Sequence, residues 1–183
     1  MRERHYEDLN ITETKGKTRA FLKVQEGCNQ FCTYCIVPFA RGPVRSRPVD
    51  AVLNEVKRVV ARGYAEIVLT GIHIASYGVD LEDGVDLLSL IRAVSEIDGV
   101  KRIRLGSLEP LLLTEDFVRG LAEIKAFCPH FHLSLQSGCD TVLSRMGRKY
   151  TTAQYAQIVE RVRRAFDYPA ITTDIMVGFP GET

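Results

Sequence analysis

Three cysteines stand close together near the start of the chain, in the segment VQEGCNQFCTYCIVPFARGPVRSRP. Cys28, Cys32 and Cys35 have the spacing C-x3-C-x2-C. Thiolates bind soft metals and iron–sulfur clusters. A structural zinc site needs a fourth ligand, and no other His or Cys lies at a finger-like spacing. A [4Fe–4S] cluster held by three cysteines would leave one iron open to bind a substrate, and the spacing favours this interpretation.

A redox pair is the other possible use of these thiols. Cys32 and Cys35 form a C-x-x-C pair, as in thioredoxin-like proteins, but such a pair leaves Cys28 without a role. The chain has five cysteines, an odd number, and three of them lie within eight residues. This distribution argues against a disulfide framework and favours metal or redox chemistry in a reducing compartment.

Composition narrows the class of protein. The 183 residues are 45% hydrophobic and 26% charged, as is usual for a soluble globular protein. The net charge of +1 does not indicate a polyanion binder, so a nucleic-acid surface would have to be a local patch or lie outside the chain. No apolar run is long enough to span a membrane, and the polar N-terminus is not a signal peptide. We therefore expect a cytoplasmic protein.

The hydrophobic pattern predicts strands that alternate with helices. Five strands are predicted at 20–25, 66–72, 101–107, 131–137 and 170–179. Helices are predicted from an Asp50 cap to Gly63, at 87–99, from a Thr114 cap to 124, at 140–146 and at 152–166. Asp174 falls inside the fifth strand and is expected to be buried.

This alternation predicts an α/β fold with parallel strands and right-handed crossovers. A complete βα barrel needs eight strands and about 250 residues, so five βα repeats fit an open, partial barrel or a doubly wound sheet. In both folds the chemistry belongs at the carboxyl ends of the strands. The cysteine segment directly follows the first strand and is therefore expected at that edge.

The C-x3-C-x2-C spacing after the first strand of a βα fold resembles the radical S-adenosylmethionine (SAM) enzymes. The resemblance implies a partial, open parallel βα barrel. It also implies a [4Fe–4S] cluster with Cys28, Cys32 and Cys35 as metal ligands, and SAM chelated to the open iron through its amino and carboxylate groups. An electron from the cluster would cleave SAM into methionine and a 5′-deoxyadenosyl radical.

Longer stretches narrow the resemblance. GCNQFCTYCIVPFARG, LSLQSGCDTVLSRMGRKYT and TTDIMVGFPGET resemble the methylthiotransferases of this superfamily. VLTGIHIASYG resembles the branch that acts on N6-threonylcarbamoyladenosine at position 37 of tRNA. The branch acting on isopentenyladenosine-37 tends to have a Gln-Asn pair where Ile72 and His73 stand, and the branch acting on a ribosomal-protein aspartate also differs there. Both branches stay open as alternatives.

The resemblance implies a reaction and partners. The radical would abstract hydrogen from carbon 2 of the modified adenine of a tRNA substrate. A second [4Fe–4S] cluster in a missing N-terminal domain would supply sulfur, and a second SAM would supply the methyl group. A reductant protein such as a flavodoxin or ferredoxin is expected, with no membrane partner.

Domain boundaries follow from the same resemblance. We expect residues 1–17 to be a linker from the missing N-terminal domain and residues 18–183 to be a radical SAM core truncated at its C-terminal end. The alternative class is a truncated, non-catalytic iron–sulfur module.

Several residues near the carboxyl ends of the strands are candidates for binding SAM. By resemblance, Tyr34 packs against the adenine, Gly71 lies near the methionine end, and Gly178 belongs to the turn that contacts the adenine. The polar candidates for the ribose or the methionine moiety are Ser107, Glu109, Gln136 and Arg148, the last within the family-like M-x-R-x-Y of residues 146–150. His73 is a candidate for a substrate role.

A basic edge is predicted beside these residues. It consists of Arg41, Arg45, Arg47, Arg145, Arg148 and Lys149, which could meet tRNA phosphates or the SAM carboxylate, or could simply be solvated surface charge. Cys128 and Cys139 match no ligand motif and are interpreted as structural or incidental.

Overall fold

The computed structural model describes residues 18–82 and 84–183, so the predicted linker at 1–17 lies outside the described residues. The strands are β1 (Arg19–Glu26), β2 (Arg45–Ser46), β3 (Glu66–Gly71), β4 (Arg102–Leu105), β5 (His130–His132) and β6 (Ala170–Thr172). The helices are α1 (Val37–Arg41), α2 (Val49–Ala61), α3 (Leu87–Ser95), α4 (Glu115–Ala122), α5 (Asp140–Arg145) and α6 (Thr152–Ala165). None of the helices in the described ranges is long and apolar enough to cross a membrane.

The strands form a curled sheet that is parallel except at its edge, where β2 runs antiparallel to β1. One sheet has the order β2-β1-β3-β4, and β5 and β6 form a parallel pair. Isolated parallel bridges at Ile103–Phe127 and Leu108–Leu133 join the pair to β4 and the loop after it. This confirms the partial, open βα barrel and places the carboxyl ends of the strands along one edge.

One face of the sheet carries the core. Strand alternation sends Leu22 and Leu69 to this face, where they pack in a single hydrophobic cluster with residues of α2, α3, α4 and α6. The opposite face is more polar, although Val68 on it is buried, and there Glu66 pairs with Arg19 at 3.6 Å and with Arg104 at 3.1 Å. The functional edge is therefore built on a sheet that is rigidly packed on one side.

The last two predicted strands are too long. The segment 131–137 contributes only the end of β5, with single bridges at Leu133 and Gln136. Regular pairing stops at His132, and only isolated contacts follow, up to Gln136, which has a φ of 70°. The segment 170–179 contributes only β6, so Asp174 lies beyond the strand. Its side chain is 78% exposed, and the prediction of a buried aspartate is wrong.

The start of α2 also differs from the prediction. Asp50 is not the cap, because Pro48 occupies the N-cap position and Asp50 lies in the first turn. In the first turn its negative carboxylate still interacts favourably with the positive end of the helix dipole. Thr114 caps α4 as predicted, since its side chain accepts a hydrogen bond from the Phe117 N–H at 3.2 Å.

Candidate functional site

The three cysteines lie in a loop that the sheet closes at both ends. The chain leaves β1, forms the loop and α1, and returns as β2, which pairs antiparallel with the end of β1. The Cys28 N–H donates to the Gly42 carbonyl at 3.1 Å across the base of this loop. Gly27 has a φ of 71°, and a Cβ there would lie 1.9 Å from the Pro43 carbonyl oxygen. Only glycine can make this closure.

The thiols differ in their surroundings. Cys28 is buried, whereas Cys32 and Cys35 are half-buried. Burial raises the pKa of the Cys28 thiol, and the neighbouring sulfurs of Cys32 and Cys35 raise it further. Three thiols close enough to repel one another as thiolates gain from a cationic group bound between them.

These thiols fit a cluster better than a single ion. Zn–S bonds of about 2.3 Å would require sulfurs within about 4.6 Å of each other. Across residues 18–82 and 84–183, no three His, Cys, Asp or Glu side chains are arranged to hold one metal ion. An iron–sulfur cluster distributes its thiolate ligands over different irons, so it does not require the three sulfurs to converge on one ion.

Arg148 connects the thiols to the next part of the site. Its Nη1 lies 3.5 Å from the Cys32 Sγ, and its Nη2 donates to the Glu109 carboxylate at 2.6 Å. Both side chains are nearly buried, at 7% and 12% exposure. Burial lowers the pKa of Arg148, but Glu109 and the Tyr150 hydroxyl outweigh this effect and the pKa is raised. A permanent positive charge therefore stands beside Cys32.

Tyr150 fixes the position of the Arg148 side chain. Its hydroxyl accepts from the Arg148 Nε at 3.1 Å and donates to the backbone carbonyl of Leu135 at 2.8 Å. The Arg148 guanidinium also lies 5.0 Å from the centre of the Tyr150 ring. Sequence reasoning did not single out Tyr150, although it ends the M-x-R-x-Y stretch that contains Arg148.

Gln25 is a second residue that sequence reasoning missed. It is fully buried at the end of β1, and its Nε2 donates to the Gly27 carbonyl at 2.8 Å. Its Oε1 accepts from the His73 backbone N–H at 2.7 Å. Gln25 thus ties the base of the cysteine loop to the loop after β3. The sequence held no distinct signal for this role, because Arg19, Lys23 and Glu26 are also polar residues of β1.

The structure gives a reason for a glycine at position 71 that differs from the predicted proximity to the methionine end of SAM. A Cβ at this position would lie 2.8 Å from the Gln25 Oε1, so the glycine permits the close approach of β3 to this side chain. His73 follows two residues later. Its Nδ1 lies 2.5 Å from the Ser76 hydroxyl, and its Nε2 lies 3.9 Å from the Glu109 carboxylate.

Tyr34 and Gly178 line the same cavity. The cavity has a volume of about 590 Å³ and is bounded by Thr33 and Tyr34 on one side and by residues 176–180 on the other. Burial raises the pKa of Tyr34 to about 12, so the phenol is neutral at physiological pH. The structure therefore joins the first and last segments of the predicted site.

Two of the predicted residues are less engaged. Ser107 is exposed just beyond β4. Gln136 uses its backbone to continue the pairing of β5 with β6, since its N–H donates to the Asp174 carbonyl at 3.0 Å and its carbonyl accepts from the Met176 N–H at 2.8 Å. Both lie at the predicted edge, after the strands that carry them.

The predicted basic edge loses two members, Arg47 and Arg148, and the second is only 7% exposed and pairs with Glu109. Arg47 is only 2% exposed and forms an ion pair with the equally buried Glu55, so it cannot meet an external phosphate. Arg145 is exposed, and its Nη1 donates to the Gly181 carbonyl at 2.6 Å.

The two other cysteines differ from each other. Cys128 is buried beside Arg102, whose Nη2 lies 3.1 Å from the sulfur, and Cys139 is exposed at the start of α5.

Comparison with known proteins agrees with this geometry. The threonylcarbamoyladenosine tRNA methylthiotransferase MtaB of Bacillus subtilis (strain 168) is 44% identical over 183 residues, which are 100% of this chain and 41% of that protein. The tRNA-2-methylthio-N(6)-dimethylallyladenosine synthase of Clostridium tetani (strain Massachusetts / E88) is 45% identical over 171 residues, 93% of this chain and 38% of that protein. The chain thus spans about two fifths of the length of these relatives.

The fold also matches a solved structure. The radical S-adenosylmethionine methyltransferase TsrM from Kitasatospora setae superposes with a TM-score of 0.64 at 19% identity, covering 86% of this chain and 30% of that chain. The sequence model of the Radical SAM superfamily matches residues 22–183. This range includes most of β1, the cysteine loop and the strands β2 to β6. The chain therefore belongs to the Radical SAM superfamily.

Proposed function

We propose that this chain is the catalytic core of an enzyme that methylthiolates carbon 2 of N6-threonylcarbamoyladenosine at position 37 of tRNA. The observation that carries the proposal is the 44% identity, over all 183 residues, with the Bacillus subtilis MtaB protein. The thiol loop at the carboxyl end of β1 supports it, because the loop supplies the ligands that the superfamily's chemistry requires.

Cys28, Cys32 and Cys35 would hold a [4Fe–4S] cluster through three thiolates. When bound, this cluster supplies the single electron for reductive cleavage of SAM. Arg148 would stabilise the thiolate of Cys32 and pair with the carboxylate of SAM, because its charge is permanent and its position is fixed by Glu109 and Tyr150. Glu109 would accept a hydrogen bond from the amino group of SAM.

The cavity between Tyr34 and Gly178 would receive the adenosine. A neutral phenol on one wall and a glycine with exposed backbone on the other suit an aromatic base, which needs a stacking surface and backbone hydrogen bonds. Ser107 and Gln136 would face the ribose. The Gly71 turn, held by Gln25, would lie beside the methionine end.

The remaining parts of the reaction would come from outside the described residues. We place a second [4Fe–4S] cluster in an N-terminal domain joined through a linker at 1–17, with residues 18–183 forming the radical SAM core. A tRNA and a one-electron donor protein would be its partners. The greater length of the relatives supports this division.

A second candidate substrate is dimethylallyladenosine in tRNA. The 45% identity with the Clostridium tetani synthase supports this substrate to the same degree as the 44% identity with MtaB supports the first. Two observations favour threonylcarbamoyladenosine: the match to MtaB covers all 183 residues of this chain, and Ile72 and His73 stand where the other branch tends to have Gln-Asn.

The test has two stages. The protein is first reconstituted anaerobically with iron and sulfide, and iron content and 5′-deoxyadenosine formation are measured with a chemical reductant. We expect about four irons per chain in this cluster, and cleavage that Cys32→Ala abolishes. Cleavage by Cys32→Ala, or one bound zinc without sulfide, would overturn the proposal.

The second stage identifies the nucleoside. The gene, with its native flanking sequence, is expressed in a bacterium lacking its own methylthiotransferases, and digested tRNA is examined by mass spectrometry. Methylthiolated threonylcarbamoyladenosine is the expected product. Methylthiolated dimethylallyladenosine would select the second candidate, and tRNA without either nucleoside would contradict both.

A further inference from the structure

Three apolar side chains stand in water around the cysteine loop. Phe31, Ile36 and Phe39 are 57%, 71% and 60% exposed, and we name them the cluster-loop patch. The rings of Phe31 and Phe39 meet edge to face, with centroids 5.6 Å apart and an interplanar angle of 79°. Phe31 directly precedes Cys32 and Ile36 directly follows Cys35, so the patch covers the outer side of the loop.

The fold holds these side chains outward. Pro38, in the same helix as Phe39, is buried and anchors α1 against the protein. Phe31 has a φ of 51°, an unfavourable conformation for an aromatic residue. Leaving these side chains in water forgoes part of the free energy that their burial would release. An exposed apolar patch of this kind is typical of a surface that a partner covers.

The rim of the patch is positively charged. Residues 27–49 contain no Asp or Glu, and of their three arginines Arg47 is buried, which leaves Arg41 and Arg45 for the rim. Arg41 is 60% exposed at the end of α1, and Arg45 lies next to it, since its Nη2 donates to the Arg41 carbonyl at 3.0 Å. The neighbouring Glu26 is only 10% exposed and lies 3.6 Å from the Arg41 Nη1. A partner for this rim would be acidic.

We propose that the cluster-loop patch is the docking surface for an acidic one-electron donor protein. The inference rests on the proposed function, in which a cluster on Cys28, Cys32 and Cys35 must be reduced before SAM is cleaved. The donor would lose one electron, the cluster would gain it, and no proton or group would move. The patch is formed by the immediate neighbours of two of the ligands, so docking there brings the donor close to the cluster.

An apolar centre with cations at its edge suits a small protein interface. Transient redox encounters bury little area and combine an apolar core with a charged rim. RNA would instead require a row of exposed cations along its phosphates, and the centre of the patch offers none.

The test separates electron delivery from chemistry. SAM cleavage by the reconstituted protein is measured with reduced flavodoxin and, in parallel, with dithionite. The affinity for flavodoxin is measured directly by calorimetry. The variants are Phe39→Ser, Ile36→Ser and Arg41→Gln, with Val79→Ser as the matched control, because Val79 is 75% exposed in another loop.

We expect each patch variant to lower flavodoxin-driven kcat/KM by about tenfold and to weaken flavodoxin binding. Dithionite-driven cleavage should stay within about twofold, and Val79→Ser should match the parent in every measurement. Added salt should raise the KM for flavodoxin in the parent more than in Arg41→Gln, because screening weakens rim charges.

Several outcomes would overturn the docking surface. Equal flavodoxin-driven rates and affinities in all variants would do so, as would patch variants that weaken tRNA binding and leave flavodoxin binding unchanged. Absence of dithionite-driven cleavage in the parent protein would instead contradict the proposed function, and the direct binding measurement would then decide the surface on its own.

Discussion

At the scale of single residues, the site depends on a buried ion pair. Arg148 and Glu109 are 39 positions apart in sequence, and together they place a fixed charge beside Cys32. Desolvation of such a pair is costly, so the pair contributes more to positioning than to net stability. Removing one partner leaves the other charge buried and unpaired.

A double-mutant cycle tests this pair. Arg148→Met should lower the free energy of unfolding by about 3–5 kcal/mol, because the Glu109 carboxylate then loses its partner. Arg148→Met combined with Glu109→Gln should cost clearly less than Arg148→Met alone. The control is Arg92→Gln, whose exposed pair with Glu123 should cost less than about 1 kcal/mol in the same urea titration. Additive losses at Arg148 and Glu109 would contradict the buried coupling.

His130 predicts a dependence of stability on pH. Burial, and then the charge of Arg104, lower the pKa of His130 from its ordinary value of 6.5, with smaller contributions from His132 and Arg19. Below pH 6.5 the unfolded chain therefore binds a proton that the folded protein resists, and stability falls as the pH drops. His130→Phe should flatten the decline of unfolding free energy between pH 7 and pH 5. An unchanged slope in this variant would refute the assignment.

At the scale of elements, the site is a set of loops fixed by short hydrogen-bonded connections. The β1–β2 pairing closes the cysteine loop, and Gln25 joins its base to the loop after β3. Both connections start from the last residues of β1. The close contacts at Gly27 and Gly71 leave no space for a side chain, so these loops have only one way to pack.

A pair of glycine substitutions tests the loop closure. Gly27→Ala should prevent β2 from closing on β1, because the added Cβ would meet the Pro43 carbonyl. We expect it to lower iron incorporation by more than half. Gly63→Ala is the matched control, since Gly63 also has a positive φ, of 90°, but a Cβ there meets nothing within 4 Å. It should cost about 1 kcal/mol of stability with normal iron content. Normal iron content in Gly27→Ala would contradict the closure argument.

At the scale of the whole molecule, the sheet is unevenly supported. β1, β3 and β4 share continuous ladders and a buried face, whereas β6 is mostly exposed and pairs with β5 over three residues. The candidate cavity lies between these two parts, with Tyr34 on the first and Gly178 beyond the second.

Hydrogen exchange should reveal this unevenness. The amides of Leu22, Val68 and Leu69 should exchange most slowly, because the central ladders open only with the whole core. Amides at 171–176 should exchange orders of magnitude faster at the same pH. Mass spectrometry of peptic fragments measures both regions in one sample. Equal protection of the two regions would show that the sheet opens as one unit.

Much of this organisation was predictable from local signals. The C-x3-C-x2-C spacing and the alternation of strands with helices are properties of short windows, so they predicted the thiol loop and the partial barrel. The Thr114 cap was also local. The Asp50 cap was wrong because Pro48 takes the N-cap position of α2. The last two predicted strands were too long because β5 and β6 pair regularly over only three residues, and a local pattern does not show where pairing between distant segments ends.

The sequence by itself therefore determined which chemistry the chain carries and at which edge of the sheet it lies. Only the tertiary structure decided which side chains meet there. Arg148 reaches Cys32 across 116 positions, and Gln25 reaches His73 across 48. Periodicity specifies the face of an element, but contacts between loops depend on how the strands curl and stack. That packing has no signature in any short window of sequence.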